Sequence, residues 1–279
     1  MKKSAICIVI AATTVLAGCN GNEKKAQAQL DEAKAMFERN EYGLAKSRID
    51  SLRVHYPKEF KVLKAGLTLM RQIEMKEAER NIAFCDSLLP IRMDELKEMQ
   101  KNFVFEKDSA YDDIGKFVSK QQTIERNIKR CYIRSNVDEN GEMSLASVFF
   151  GSAPINHTGI KLSTPEGLTV ETPVIPYDGG MSYRFKDLGN TTEVVTYKGE
   201  KCANAVKFIA DNQNQRIRVE YTGGKPYVLY IPDIEKKAIA STYELALILS
   251  DIDKMIKEKN KSNKKIDYLK SKLEKGEPE

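Results

Sequence analysis

The sequence predicts an α+β protein: N-terminal helical hairpins, a central antiparallel β-sandwich or meander, and a long C-terminal helix packing back on the N-terminal helices. Three observations carry this. Apolar residues recur every three or four positions near both ends of the chain, whereas between Cys131 and Pro232 the period falls towards two. Those periods belong to a helix face and a strand face. Within the central stretch, short apolar runs are divided by clusters of Gly, Pro, Asn and Asp, the residues of tight turns.

The first element is an address, not a fold. Lys2 and Lys3 form a positive start, Ser4 to Val15 is short and mostly apolar, and Leu16-Ala17-Gly18 places small residues before Cys19. Such a run is too short to span a bilayer core of about 30 Å. The Leu-Ala-Gly-Cys ending resembles the lipobox of bacterial envelope lipoproteins. That resemblance implies that residues 1–18 are a signal peptide and that Cys19 becomes a diacylated, palmitate-type membrane anchor. Asn20 is not the Asp that retains lipoproteins in the inner membrane under the enterobacterial sorting rule, and the residues after Cys19 hold no acidic cluster for surface export. By resemblance, therefore, the chain is expected at the outer membrane, on its periplasmic face.

Removing 18 of 279 residues leaves 261, and removing two of the 45 basic residues leaves 43 against 40 acids, a net of +3. Acids and bases alternate along helical stretches such as Glu74-Met75-Lys76-Glu77-Ala78-Glu79-Arg80. This pattern reads as solvated helix faces and excludes a nucleic-acid binder, which concentrates cations on one surface. Export permits disulfides. Cys85, Cys131 and Cys202 remain once Cys7 and Cys19 are set aside. Cys131 and Cys202 are the one candidate pair; buried structural thiols are the plainer reading.

Residues 19–25 read as a polar, lipid-anchored tether and residues 26–130 as a helical region. Ala26, Leu30, Ala33, Met36 and Phe37 share one helix face. Asn40-Glu41-Tyr42-Gly43 is a turn, and Ala45, Ile49 and Leu52 form a second stripe that stops before Pro57. This hairpin resembles a tetratricopeptide repeat in Ala33, the Asn-Glu-Tyr turn, Ala45, Ile49, Leu52 and Pro57. A shift of 33 residues brings Gly66, Leu69, Ala78, Ile82, Cys85 and Pro90 to the corresponding places. A plain hairpin or coiled coil is the competing reading, since no turn residue interrupts Phe60 to Leu88. Between 103 and 130, Phe103-Val104-Phe105 and Phe117-Val118 read as either a strand pair or a helix-loop-helix.

Residues 131–232 form the antiparallel β-domain. Its expected strands are 131–137, 143–150, 155–162, 168–175, 183–185, 193–197, 216–221 and 227–231, with a helix at 203–211. Asn136 to Gly141 resembles the start of a calcium loop, but its twelfth position is Ser147 where a Glu is required. Asn140-Gly141 reads instead as a hairpin turn. Residues 233–279 form a C-terminal helix with a polar tail. Ile239, Tyr243, Ala246, Leu249, Ile252 and Ile256 make a seam, resumed at Ile266, Leu269 and Leu273, and residues 233–256 are expected to pack on the N-terminal helices, with two independent helical ends as the alternative. Lys257 to Lys265 is polar.

No motif for a phosphate, dinucleotide, zinc or acyl-enzyme site is present. The chain is expected to need no cofactor and no metal and to have no catalytic residue. His157 reads as a surface or strand-end residue. Tyr177, Tyr183, Phe185 and Tyr197, beside turn residues, are the candidate ligand-binding set, because tyrosine pairs an apolar body with a polar tip. The expectation is a non-enzymatic, membrane-anchored envelope lipoprotein acting as a protein-binding adaptor or assembly factor, through an envelope protein partner. The alternative is a glycan- or peptide-binding lipoprotein that uses the β-domain.

Overall fold

The structure, a computed structural model, describes residues 19–107 and 113–275. Residues 1–18, and with them the expected signal peptide and the first three positions of the expected lipobox, lie outside the described residues. The protein is α+β, with N-terminal helices, two antiparallel sheets and a long C-terminal helix that packs on the N-terminal helical region. It divides into two compact units. One comprises the chain up to Asp86 with the chain from Lys257 onward; the other is Ser87–Ile256.

In the helical unit, α1 (Cys19–Glu38) and α2 (Tyr42–His55) form a hairpin whose turn places Asn40 in the left-handed region, φ 61°. Asparagine tolerates that conformation better than most residues. Ala26, Leu30 and Ala33 of α1 meet Ala45, Ile49 and Leu52 of α2, and Val62, Leu69 and Ile73 of α3 (Phe60–Gln100) close the core. Gly66 lets α3 come close, since a Cβ there would stand 3.4 Å from Ile49. Two expectations change. The segment taken as a tether is helical, because α1 starts at Cys19 and Ala26 is already buried. The shifted repeat is not a second hairpin: Gly66 through Pro90 all lie on α3, with no turn residue to break it.

The last part of α5 (Asp233–Lys275) belongs to the helical unit. Ile266 and Leu269 are buried there, and Lys259–Asp86, Lys265–Glu74 and Asn81–Glu258 join its flanks to α3 at 2.5, 3.2 and 3.0 Å. Exposed pairs of this kind contribute little, so burial of the leucine and isoleucine decides the packing. The expected packing on the N-terminal helices is made by the resumed stripe, Ile266 and Leu269, and what changes is the placement of the seam. The polar stretch from Lys257 lies on α3, whereas the 233–256 seam packs into the β core through Ile239, Leu245, Ala246 and Leu249.

The second unit holds a six-stranded sheet in the order β1-β2-β3-β4-β8-β7 and a four-stranded sheet in the order β10-β9-β5-β6. The strands are β1 (Phe103–Glu106), β2 (Lys116–Ser119), β3 (Tyr132–Asp138), β4 (Met143–Gly151), β5 (Gly159–Ser163), β6 (Thr169–Glu171), β7 (Ser182–Asp187), β8 (Asn190–Lys198), β9 (Arg218–Thr222) and β10 (Tyr227–Tyr230). All pairings are antiparallel. The region between 103 and 130 resolves as the strand pair, Phe103 opposite Ser119, followed by a 3-10 turn Ile124–Asn127. The sheet therefore begins at Phe103 and not at 131. Helix α4 (Glu200–Asp211) buries Cys202, Ala205, Val206 and Ile209 in the core shared by both sheets and α5.

Three local features lock this unit. Asp138 Oδ1 accepts from the backbone N–H of Asn140 (2.9 Å) and Glu142 (2.8 Å), and Gly141, φ 86°, turns directly under α5, where a Cβ would lie 2.8 Å from Ser250 N. Tyr221 of the small sheet donates its hydroxyl to the Val148 carbonyl of the large one at 3.0 Å. Arg130 pairs with the buried Glu235 at the start of α5. Cys131 and Cys202 are free: the first hydrogen bonds to the Phe150 backbone and the second to the Met143 and Gly199 carbonyls. Burial pushes the Cys202 thiol up to about 11.

Candidate functional site

The β7–β8 hairpin turns at Leu188-Gly189, both with positive φ, as a tight two-residue turn requires. Its register divides the side chains between two faces. Ser182 and Arg184 lie opposite Val195 and Glu193 on the inner face; Tyr183 and Phe185 lie opposite Val194 and Thr192 on the outer face.

On the inner face, a relay of polar groups is buried. Ser147 of β4 stands opposite Val195, and its Oγ lies 3.0 Å from His157 Nε2. His157 Nδ1 lies 3.0 Å from Glu193 Oε2. Glu193 also accepts the backbone N–H of Asn156 at 2.9 Å and of His157 at 3.3 Å. Desolvation holds the His157 imidazole below its ordinary value, against the opposing pull of Glu193. With the ring neutral, an Nδ1–H that donates a hydrogen bond to the Glu193 carboxylate leaves Nε2 as the acceptor for the Ser147 hydroxyl.

A serine, a histidine and an acid in this order satisfy the hydrogen-bond requirement of a hydrolytic triad. Access decides against that chemistry. Ser147 is 0% exposed, and Met143, Leu145 and Phe149 on the same strand face lie in the apolar core. Its Oγ is further hemmed by Tyr197 Oη at 3.4 Å and the Val195 carbonyl at 3.5 Å. A nucleophile needs room for the carbonyl it attacks and donors for the developing oxyanion. Packed as it is, the relay instead fixes the segment that crosses from β4 to β5, where Asn156 sits at φ 59° and accepts from Arg184.

Above the relay opens a cavity of about 160 Å³. His157 and Glu193 form part of its lining with Thr158, Ser182, Arg184 and Tyr177. The Arg184 guanidinium lies over the Tyr177 ring, 4.6 Å from its centroid.

The outer face carries a second depression, about 210 Å³, between the 3-10 turn and β7. Its floor is Tyr132, Val148 and Val194; Tyr183 and Phe185 stack along one wall with centroids 6.5 Å apart and planes at 16°. Ile124, Ile128 and Phe185 are exposed at its rim; Lys129 and Arg134 supply positive charge, Arg130 is paired with Glu235, and Asp187 adds one carboxylate.

The four aromatic residues singled out from the sequence do not form one platform. Tyr177 belongs to the inner cavity, Tyr183 lines both depressions, and Phe185 belongs to the outer one. Tyr197 is wholly buried, its phenol raised by desolvation, and takes no part in a surface. His157, expected near the surface, is 3% exposed, because alternation on β4 and β8 places Ser147 and Glu193 inside with it. A hydroxyl and a carboxylate in the apolar phase of two neighbouring strands were the available signal, since buried polar groups must find partners.

No protein-family model, curated protein or solved structure matches the chain. Among the described residues, no group of three or more His, Cys, Asp or Glu side chains is placed to hold a metal ion, and no helix is long and apolar enough to cross a membrane.

Proposed function

We propose that this protein is a non-enzymatic envelope lipoprotein, anchored through an acylated Cys19 at the periplasmic face of the outer membrane, that works as a protein-binding adaptor or assembly factor. The observation that carries the reading is the outer depression of the six-stranded sheet. Ile124, Ile128 and Phe185 are exposed around it, Tyr183 stands beside them, and arginines flank it. Apolar residues gathered around a depression, with aromatic and arginine side chains among them, fit a protein interface. The inaccessibility of Ser147 supports the non-enzymatic part.

A photo-crosslinking amino acid placed at Phe185 or Ile128, and at the exposed Glu166 as control, tests it in cells. One envelope protein captured from both depression sites and not from the control, and lost with Tyr183→Ala, is the expected outcome. Identical products from all three positions would reject the interface.

A second reading has its own observation. The inner cavity combines Tyr177, Arg184, Ser182 and Thr158 over a buried acid, a lining suited to a glycan unit or a peptide end. Binding on a glycan or peptide array that disappears with Arg184→Ala supports it; an array that shows no binding removes it.

A further inference from the structure

The α1–α2 hairpin fixes where the start of α1 lies. Gln29 donates to the Arg48 carbonyl at 3.3 Å and Glu32 pairs with Arg48 at 2.8 Å, so the two helices run antiparallel with these residues side by side. Cys19 is ten residues before Gln29, about 15 Å along α1, while α2 ends at His55, about 10 Å beyond Arg48. The first residue of α1 is thus level with the connection from α2 to α3.

That end of the unit brings two features together. Val54 and Phe60 protrude, 75% and 77% exposed, beside an apolar groove of about 490 Å³ lined by Leu52, Pro57, Leu63, Leu67 and Met70. Around them stand six cations, Lys24, Lys25, Arg53, Lys58, Lys61 and Lys64, against two acids, Glu23 and Glu59. Elsewhere in the unit, Lys34, Lys46, Arg48, Lys76, Lys259 and Lys265 are ion-paired, while Arg80, Lys261, Lys264 and Lys270 stand unpaired among the described residues but dispersed along the helices. Among the described residues none of the six has an ion pair.

We propose that this end is a membrane-contact face, in which Phe60 and Val54 enter the interface of an anionic phospholipid bilayer while the six cations engage its phosphates. The position of the face rests on the lipid-anchor reading, because an acyl chain on Cys19 brings this end to the membrane. The occupant follows from charge complementarity: protruding apolar side chains ringed by unpaired cations fit an anionic interface, and the protein reaches the bilayer through two signals and not one.

The chain has no tryptophan, so Phe60→Trp installs a single fluorescent reporter at an exposed site. The processed protein carrying it is reconstituted with vesicles of phosphatidylcholine containing one quarter phosphatidylglycerol, with and without brominated acyl chains. The expected result is a blue-shifted emission, quenched more than twofold by the brominated lipid. In the Lys58→Gln/Lys61→Gln/Lys64→Gln background, quenching falls severalfold although the protein still sediments with the vesicles. A reporter indifferent to brominated lipid on sedimenting protein overturns the proposal. So does a reporter silent to lipid that shifts with a synthetic acidic amphipathic helix, which would give the groove to a polypeptide. The mass of the N-terminal peptide tests the anchor separately: if Cys19 is unmodified the anchor reading fails, and the same quenching measurement on the unacylated protein still decides the face.

Discussion

Glu193 accepts from three donors in the β unit, and replacing it should reveal what the buried relay does. Its carboxylate satisfies three donors, Asn156 N, His157 N and His157 Nδ1, at 2.9, 3.3 and 3.0 Å. Each buried donor left without a partner costs about 1–3 kcal/mol. Against this, removing a carboxylate that is nearly fully buried recovers part of its desolvation cost. The balance for Glu193→Gln is a loss of about 2–3 kcal/mol, because the amide offers one acceptor oxygen while its NH₂ meets a donor. Ser147→Ala deletes the 3.0 Å bond to His157 Nε2 together with the longer ones to Tyr197 Oη and the Val195 carbonyl, and is expected to cost about 1 kcal/mol because those two are near the limit of hydrogen-bond length. The assay is urea unfolding at pH 7.5, followed by the near-ultraviolet ellipticity of the tyrosines, which no tryptophan obscures. The order matters more than the values. If Glu193→Gln costs no more than Ser147→Ala, the carboxylate is not the anchor of the crossing segment and the account of the relay is wrong.

The pH response follows from His157. Its folded value lies below the ordinary 6.5 because burial disfavours the charged ring. Above 6.5 both folded and unfolded states are neutral here and the full stability is present; as pH falls through 6.5 towards the folded value, only the unfolded chain takes up the proton, and stability is lost. Unfolding midpoints between pH 7.5 and 5.5 should therefore decline, and His157→Gln should flatten that decline; an unchanged slope would count against the buried neutral ring. Gly141→Ala puts a Cβ 2.8 Å from Ser250 N and 2.9 Å from Ala246 O at a positive φ, and thermal melts should show a loss of about 2–4 kcal/mol. Arg130→Met strips the partner from Glu235, whose side chain is 4% exposed, and a loss of about 3–5 kcal/mol is expected in the same melts, with a value under 1 arguing that the pair is dispensable.

The elements that alternate cleanly were legible. Ile133, Ser135 and Val137 on β3, and Val219 and Tyr221 on β9, keep a strict inward phase, and each of the eight runs expected between 131 and 232 holds a strand. What was not legible is where a pattern is too short or too broad to choose a partner. Phe103-Val104-Phe105 has too few residues to separate a strand from a helix turn; its identity comes from pairing with Val118 and Ser119. On α5, Ala238, Ala240, Thr242 and Ile248 are buried in addition to the seam, so burial extends well beyond the single stripe that the sequence announces. The site was hidden for a different reason. Ser147, His157 and Glu193 are separated by 10 and 36 residues, and nothing local to His157 marks partners that strand pairing delivers.

The thiols carry a practical consequence. Among the described residues Cys85, Cys131 and Cys202 are free thiols, the last two committed to backbone hydrogen bonds, so the described fold asks nothing of an oxidant. A lineage could move such a protein between compartments of different redox state without redesigning its core, and a laboratory can fold it in a reducing extract as readily as in an oxidising one.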